Sequence, residues 1–155
     1  MRNIRMTVAA LAVSGSALIG IAVHEGYIGH TYKDQVGIAT IGFGNTDNVK
    51  PGQTITVERA LIRLGNNIGE KESAMRTCLG DVPLYQNEWD AYVSLSYNIG
   101  TNGFCGSTLV KRLKQNPPDY TAACTEILRW NRGGGRVLDG LVKRRRAEYK
   151  QCMGQ

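Results

Sequence analysis

The 155 residues give room for one compact domain and not for two, since domains usually run to about 100–200 residues. Hydrophobic residues at 42%, charged residues at 21% and only four prolines exclude a disordered, collagenous or low-complexity chain. Nineteen Lys and Arg against thirteen Asp and Glu leave a net charge of +6, which favours a polyanionic partner such as nucleic acid, anionic lipid or cell-wall polymer.

Met6 to Val23 is an uncharged run of 18 residues preceded by Arg2 and Arg5, a pattern that directs a chain to a membrane with its N-terminus inside. No second such run exists, which excludes a polytopic membrane protein. As one helix the run would be roughly 27 Å long, against a hydrocarbon core of about 30 Å. Seven of its residues are Leu, Ile or Val and five are Ala, so the favourable insertion term is only about −2 to −4 kcal/mol. Residues 1–23 therefore read as a weak signal-anchor that can enter a membrane and leave it, and residues 24–155 as the folded domain. The alternative is a cleavable signal peptide processed near Ser14, Gly15, Ser16 and Ala17. Cleavage much beyond Ala17 would fall close to Glu25, which the chemistry below requires.

From Gly26 to Val49 the chain is rich in glycine and β-branched residues and reads as short strands and tight turns. Thr56 then caps a helix with Val57, Ala60, Leu61, Leu64 and Ile68 on a 3.6-residue period. Asn87 is placed to cap a second helix that runs through Trp89, Val93 and Tyr97 to about Gly100, and Ser107 a third over 108–113. Asn116-Pro117-Pro118-Asp119 stops the chain before a fourth helix over 120–130; Gly133-Gly134-Gly135 reads as the turn ending it, and a basic helix over 141–152 closes the sequence. The fold class expected is α+β: a small β-rich lobe and a larger helical lobe, with an N-terminal apolar helix. Both Trp89 and Trp130 are expected in the core.

Cys78, Cys105, Cys124 and Cys152 are even in number and lack metal-ligand spacing, so disulfides are expected in an exported chain. Of the three connectivities, helix placement favours Cys78 with Cys105 and Cys124 with Cys152. His24 and His30 have no third ligand and no H-E-x-x-H spacing, so neither a metal nor another cofactor is expected. Between Arg129 and Lys150 stand eight basic and two acidic residues, which alone equal the net charge of the whole chain. That segment is either a solvated helix face or an anionic contact surface; nothing in it resembles a nucleic-acid recognition motif.

Glu25, Asp34 and Thr40 fall in the β-rich region with eight and then five residues between them. Two carboxylates and a hydroxyl on a strand-and-turn scaffold are what glycoside hydrolysis needs, one acid for the leaving oxygen and one carboxylate for water. Glu25, flanked by Val23 and Tyr27, is the more desolvated and is assigned the acid; Asp34, beside Lys33 and turn amides, is assigned the charged partner.

The string HEGYIGHTYKDQVGIATIGFG closely resembles the catalytic region of the phage-type lysozymes, with Glu25, Asp34, Thr40, Gly42 and Gly44 on its signature. The likeness runs from about His24 to Cys152. Asn98, Phe104, Ser107 and Thr108 resemble the family's substrate-side segment, and Trp130, Gly134-Gly135, Arg144-Arg145 and Glu148 its C-terminal motif. Asn45 departs from it, standing where many members have histidine. The resemblance implies a lysozyme-like fold and hydrolysis of the bond between N-acetylmuramic acid and N-acetylglucosamine in peptidoglycan. Glu25 would protonate the glycosidic oxygen, Asp34 would act on the attacking water and Thr40 would orient it.

The front end is similar to that of signal-arrest-release endolysins, which implies a monomer tethered first to the host inner membrane through residues 6–23 and later freed into the periplasm. No cysteine lies in residues 1–23, so refolding after release, without thiol exchange, is the expected activation route. The rival readings are a lytic transglycosylase relying on Glu25 alone and a non-enzymatic, membrane-anchored basic protein.

Overall fold

The computed structural model describes residues 4–155, so Arg2 of the expected positive flank lies outside the described residues. The chain forms two compact units, one of residues up to 17 together with 71–155, the other of residues 18–70. It is a mixed α+β, mostly helical structure with seven α-helices and three two-stranded antiparallel sheets among the described residues.

The apolar run is not one helix. Strand β1 (Met6–Thr7) is followed by a 3-10 turn at Val8–Ala10, an irregular stretch, and helix α1 (Gly15–Glu25), which starts nine residues later than the expected span and continues past it to Glu25. Among the described residues no helix is long and apolar enough to cross a membrane. Two causes are visible. Ser14, Gly15 and Ser16 favour a helix start over a helix interior, and the Ser14 hydroxyl accepts from Ala17 N–H at 3.2 Å. Residues 8–14 also gain partners that their own composition cannot reveal. Arg76 donates to the carbonyls of Val8 and Leu11, Gln86 to that of Ala12, Glu72 accepts from Val13 N–H, and Asp90 accepts from both the amide and the hydroxyl of Ser14. Val8 and Leu11, each 2% exposed, are thereby buried, a gain of about 1.5–3 kcal/mol apiece.

In the unit of residues 18–70, α1 leads into a hairpin of β2 (Ile28–Lys33) and β3 (Ala39–Gly42), with Tyr32 opposite Thr40 and an irregularity between Ile28 and Tyr32. Helix α2 (Val57–Leu79) follows, its first turn fixed by Thr56, whose hydroxyl accepts from Arg59 N–H at 3.4 Å. Ala60, Leu64 and Ile68 are buried as their period requires, whereas Val57 and Leu61 stay exposed. The helix also runs well beyond Ile68 to carry Cys78.

The other unit is built round α3 (Gln86–Ile99), of which Glu88 to Ser96 are all buried. Strand β4 (Pro83–Leu84) precedes it and pairs with β1, Met6 opposite Leu84. The α3 start is organised by Glu88, which accepts from Tyr85 N–H at 2.8 Å; Asn87, the expected cap, instead donates to the carbonyls of Gln151 and Cys152. Then come α4 (Thr101–Cys105), α5 (Thr108–Leu113) and α6 (Tyr120–Glu126), the last ended by a 3-10 turn at Ile127–Arg129 short of Trp130. Gly133 to Gly135 do not merely end a helix. They belong to a hairpin of β5 (Arg132–Gly133) and β6 (Arg136–Val137), whose turn residues Gly134 and Gly135 have φ of +56° and +78°, conformations glycine adopts without strain.

Helix α7 (Asp139–Cys152) packs on α3 through a buried polar knot. Glu148 accepts from Arg144 at 3.1 Å, from Arg145 at 3.2 Å and from the Ser94 hydroxyl at 2.6 Å. The two Arg and Glu148 therefore serve the core. Trp89 is fully buried and donates to Glu72 at 2.9 Å, while Trp130 is only half-buried. Disulfides join Cys78 to Cys105 and Cys124 to Cys152, the pairing that helix placement favours. Their separations of 27 and 28 residues correspond to about 3.5 kcal/mol each in lost chain entropy of the unfolded state.

Candidate active site

Glu25, Asp34 and Thr40 all lie in the unit of residues 18–70, at the end of α1, in the hairpin turn and on β3. The turn is built by Asp34 itself. Its backbone N–H donates to Ile38 O at 2.9 Å, and its side-chain Oδ1 accepts from the amides of Val36 at 3.0 Å and Ile38 at 2.8 Å. This Asx-type arrangement holds the carboxylate in one orientation while Gln35, Val36 and Gly37 round the turn in solvent.

Thr40 is 3% exposed, and its hydroxyl donates to Ile38 O at 3.0 Å. With its proton so engaged, the oxygen retains lone pairs with which to accept a hydrogen bond from a small donor such as water. The same Ile38 carbonyl thus receives Asp34 N–H and the Thr40 hydroxyl, coupling two of the three residues through one backbone atom.

Glu25 is half-buried against the turn that follows β3. Ile41 and Asn45 exchange backbone hydrogen bonds at 2.9 and 3.0 Å across that turn. Gly44 has φ of +74°, and a Cβ there would lie 2.9 Å from Glu25 Oε2. Gly42, at φ of +67°, would bring a Cβ to 3.0 Å from Ala60 Cβ. The two glycines are therefore spacing elements: one lets the backbone approach the Glu25 carboxylate, the other lets β3 approach α2. Asn45, 6% exposed, accepts from Asn67 Nδ2 at 2.7 Å and donates to Asp47 O at 3.2 Å, which ties the turn to α2.

Tyr32 is the residue of this site that sequence reasoning missed. Burial foremost, and then the negative charges of Asp34 and Glu25, push its phenol above the ordinary tyrosine value. One phenol thus lies within electrostatic reach of both carboxylates. The only available signal was its register opposite Thr40, which depends on the irregularity in the hairpin.

The residues expected on the substrate side lie in the other unit. Asn98 and Thr108 are exposed, near the end of α3 and at the start of α5. Phe104 is fully buried, its ring 6.0 Å from that of Tyr92, so it is a core residue and not a sugar contact. Ser107, 7% exposed, donates to Phe104 O at 2.6 Å and accepts from Val110 N–H at 3.3 Å; it joins α4 to α5.

The sequence model described as phage lysozyme matches residues 22–148. The chain belongs to the phage lysozyme family. An endolysin of Acyrthosiphon pisum secondary endosymbiont phage 1 is 38% identical over 140 residues, covering 88% of this chain and 94% of that protein. A SAR-endolysin of Haemophilus phage HP1 (strain HP1c1) is 33% identical over 153 residues, covering 92% and 82%. Among solved structures, the endolysin of the Escherichia coli O157:H7 phage FAHEc1 superposes with a TM-score of 0.82 at 31% identity, over 97% of this chain and 96% of that one. The fold is therefore lysozyme-like, and family membership places the chain among peptidoglycan-degrading phage enzymes.

Proposed function

We propose that the chain is an endolysin that hydrolyses the β-1,4 bond between N-acetylmuramic acid and N-acetylglucosamine of peptidoglycan. What supports this reading is that Glu25 at the end of α1, Asp34 in the hairpin turn and Thr40 on β3 opposite Tyr32 all belong to the unit of residues 18–70, with the Asp34 carboxylate oriented by two amides. Glu25 donates its proton to the glycosidic oxygen as the bond breaks. Asp34, its orientation fixed by two amides, supports positive charge at the anomeric carbon and takes a proton from the attacking water. Thr40 accepts a hydrogen bond from that water and sets its line of approach. Asn98 and Thr108 are the proposed sugar contacts. Peptidoglycan digested to completion should yield reducing, water-added muramic ends; 1,6-anhydro ends would identify a transglycosylase and overturn this reading.

Residues 1–23 are proposed to act first as a signal-anchor in the host inner membrane, with the N-terminus in the cytoplasm, and residues 24–155 as the catalytic domain, monomeric, independent of any cofactor and with no role in nucleic-acid binding. After release to the periplasm, residues 5–14 exchange lipid for the side chains of Glu72, Arg76, Gln86, Glu88 and Asp90. That exchange is supported by the hydrogen bonds these side chains make to the segment. Since α1 ends on Glu25, withdrawal of the segment into lipid would also remove the acid from the turn at Gly44, and the tethered form is inactive on this account. A tethered chain as active as the released one would contradict it.

A further inference from the structure

Of the eight cations between Arg129 and Lys150, Arg136 is exposed on β6 and four others are held by groups of the protein. Arg144 and Arg145 are engaged by Glu148, Arg129 pairs with Glu126 at 3.2 Å, and Arg132 donates to Gly135 O at 3.3 Å. Lys143, Arg146 and Lys150 are exposed, and none of them forms an ion pair among the described residues. Their spacing of three and then four residues puts them on one stripe of α7. Like charges at these spacings repel, so the stripe costs stability unless an anion occupies it.

The same stripe borders a groove of about 570 Å3 lined by Leu128, Ala147 and Tyr149 besides the three cations. Its floor is hydrocarbon and ring, and its rim is cationic. A soluble polyanion would satisfy the rim and waste the floor, whereas an anionic amphiphile satisfies both. The far side of α7 is held fast: Arg144, Arg145, Glu148 and Cys152 are buried, and Cys152 is bonded to Cys124. The stripe is thus presented on a helix that cannot roll.

We propose that the Lys143–Arg146–Lys150 stripe docks the folded enzyme on an anionic phospholipid bilayer, with headgroup phosphates on the three cations and the upper acyl region in the groove over Leu128, Ala147 and Tyr149. The long Lys and Arg stems lie over the apolar floor while their heads reach the phosphates, and Tyr149 sits at the level where aromatic rings prefer a membrane interface. Such docking would keep the released enzyme near a membrane surface through an element other than residues 6–23.

The test is sedimentation of the full-length chain with phosphatidylcholine vesicles, with and without phosphatidylglycerol, comparing K143Q/R146Q/K150Q with the charge-matched K50Q/K111Q/K114Q. Each surface cation contributes about fivefold to partitioning on an anionic membrane, so the stripe variant should bind the phosphatidylglycerol vesicles roughly a hundredfold more weakly. The matched variant should lose far less, and binding to pure phosphatidylcholine should not change in either. Leu128→Ser, with all cations kept, should also weaken vesicle binding. Equal losses in the two triple variants would make net charge the agent and overturn the proposal. So would unchanged vesicle binding in Leu128→Ser accompanied by loss of duplex-DNA binding in the stripe variant, which would mark a general polyanion site. Activity on soluble peptidoglycan fragments, measured alongside, reports on the catalytic reading separately.

Discussion

Arg5 lies on Glu88 through two hydrogen bonds, of 2.8 and 3.2 Å, with its guanidinium 4.1 Å from the centre of the Tyr85 ring and 3.5 Å from that of Tyr120. Glu88 is 3% exposed and also accepts from Tyr85 N–H, so the pair fixes both the N-terminal segment and the start of α3. The flanking cation of the apolar run has thus found a carboxylate and two ring faces in the folded unit. Arg5→Gln should cost about 2 kcal/mol, less than a fully buried pair because Arg5 is partly exposed, and lower Tm by roughly 4–8 °C. Calorimetry checks the value. In cells the same variant should shift the chain toward the membrane fraction if the segment alternates between lipid and the folded unit.

Gly44→Ala places a methyl group where the Glu25 carboxylate now lies and imposes a positive φ on a residue with a side chain. Glu25 must move. The expected outcome is a fall in kcat/KM of at least about tenfold, equivalent to about 1.4 kcal/mol, in a protein that remains folded by circular dichroism. Gly44→Ala with full activity would remove Glu25 from the reacting position.

Asn45→Ala leaves the Asn67 amide without its 2.7 Å partner and releases the turn from α2. A loss of about 1–3 kcal/mol is expected for such a buried polar group, read as a lower urea midpoint at unchanged m.

Alkaline stability follows from three phenols. Burial raises Tyr32, Tyr92 and Tyr120 above the ordinary tyrosine value, with Glu88 adding to the rise at Tyr92 and Tyr120 and Arg5 opposing it. A phenol held protonated in the folded state favours folding fully below its unfolded value, near pH 10, and loses that contribution as pH rises beyond it, because the unfolded chain then releases the proton first. Urea midpoints should therefore fall above about pH 10. Tyr92→Phe, at the most buried of the three, should flatten that slope, and an unchanged slope would exclude Tyr92 as its source.

The helical half was legible because its signals are local. Thr56 and Ser107 cap helices where the sequence places them, and the four cysteines fall on helices whose order restricts their pairing. The five-residue α4 is hidden because a Gly within Thr101–Cys105 interrupts any period, and Phe104, assigned to the substrate side by resemblance, lies in the core. That the N-terminal run is not one helix in the folded chain is not legible locally: hydrophobicity ranks residues 6–14 for lipid, whereas Glu72, Arg76 and Asp90, about 60 to 80 positions away, hold them in the folded chain. Glu25, Asp34 and Thr40 stand out by spacing and resemblance, and their catalytic roles are the reading proposed above. Tyr32 does not stand out, since its proximity arises from hairpin register and not from any local pattern.

The most direct measurement is the turbidity loss of purified peptidoglycan under wild-type protein and Glu25→Gln, matched for Tm. The account requires loss of nearly all lysis in the variant, with water-added products from the wild type. Equal lysis by the two proteins would contradict it and leave the fold of a lysozyme without its chemistry.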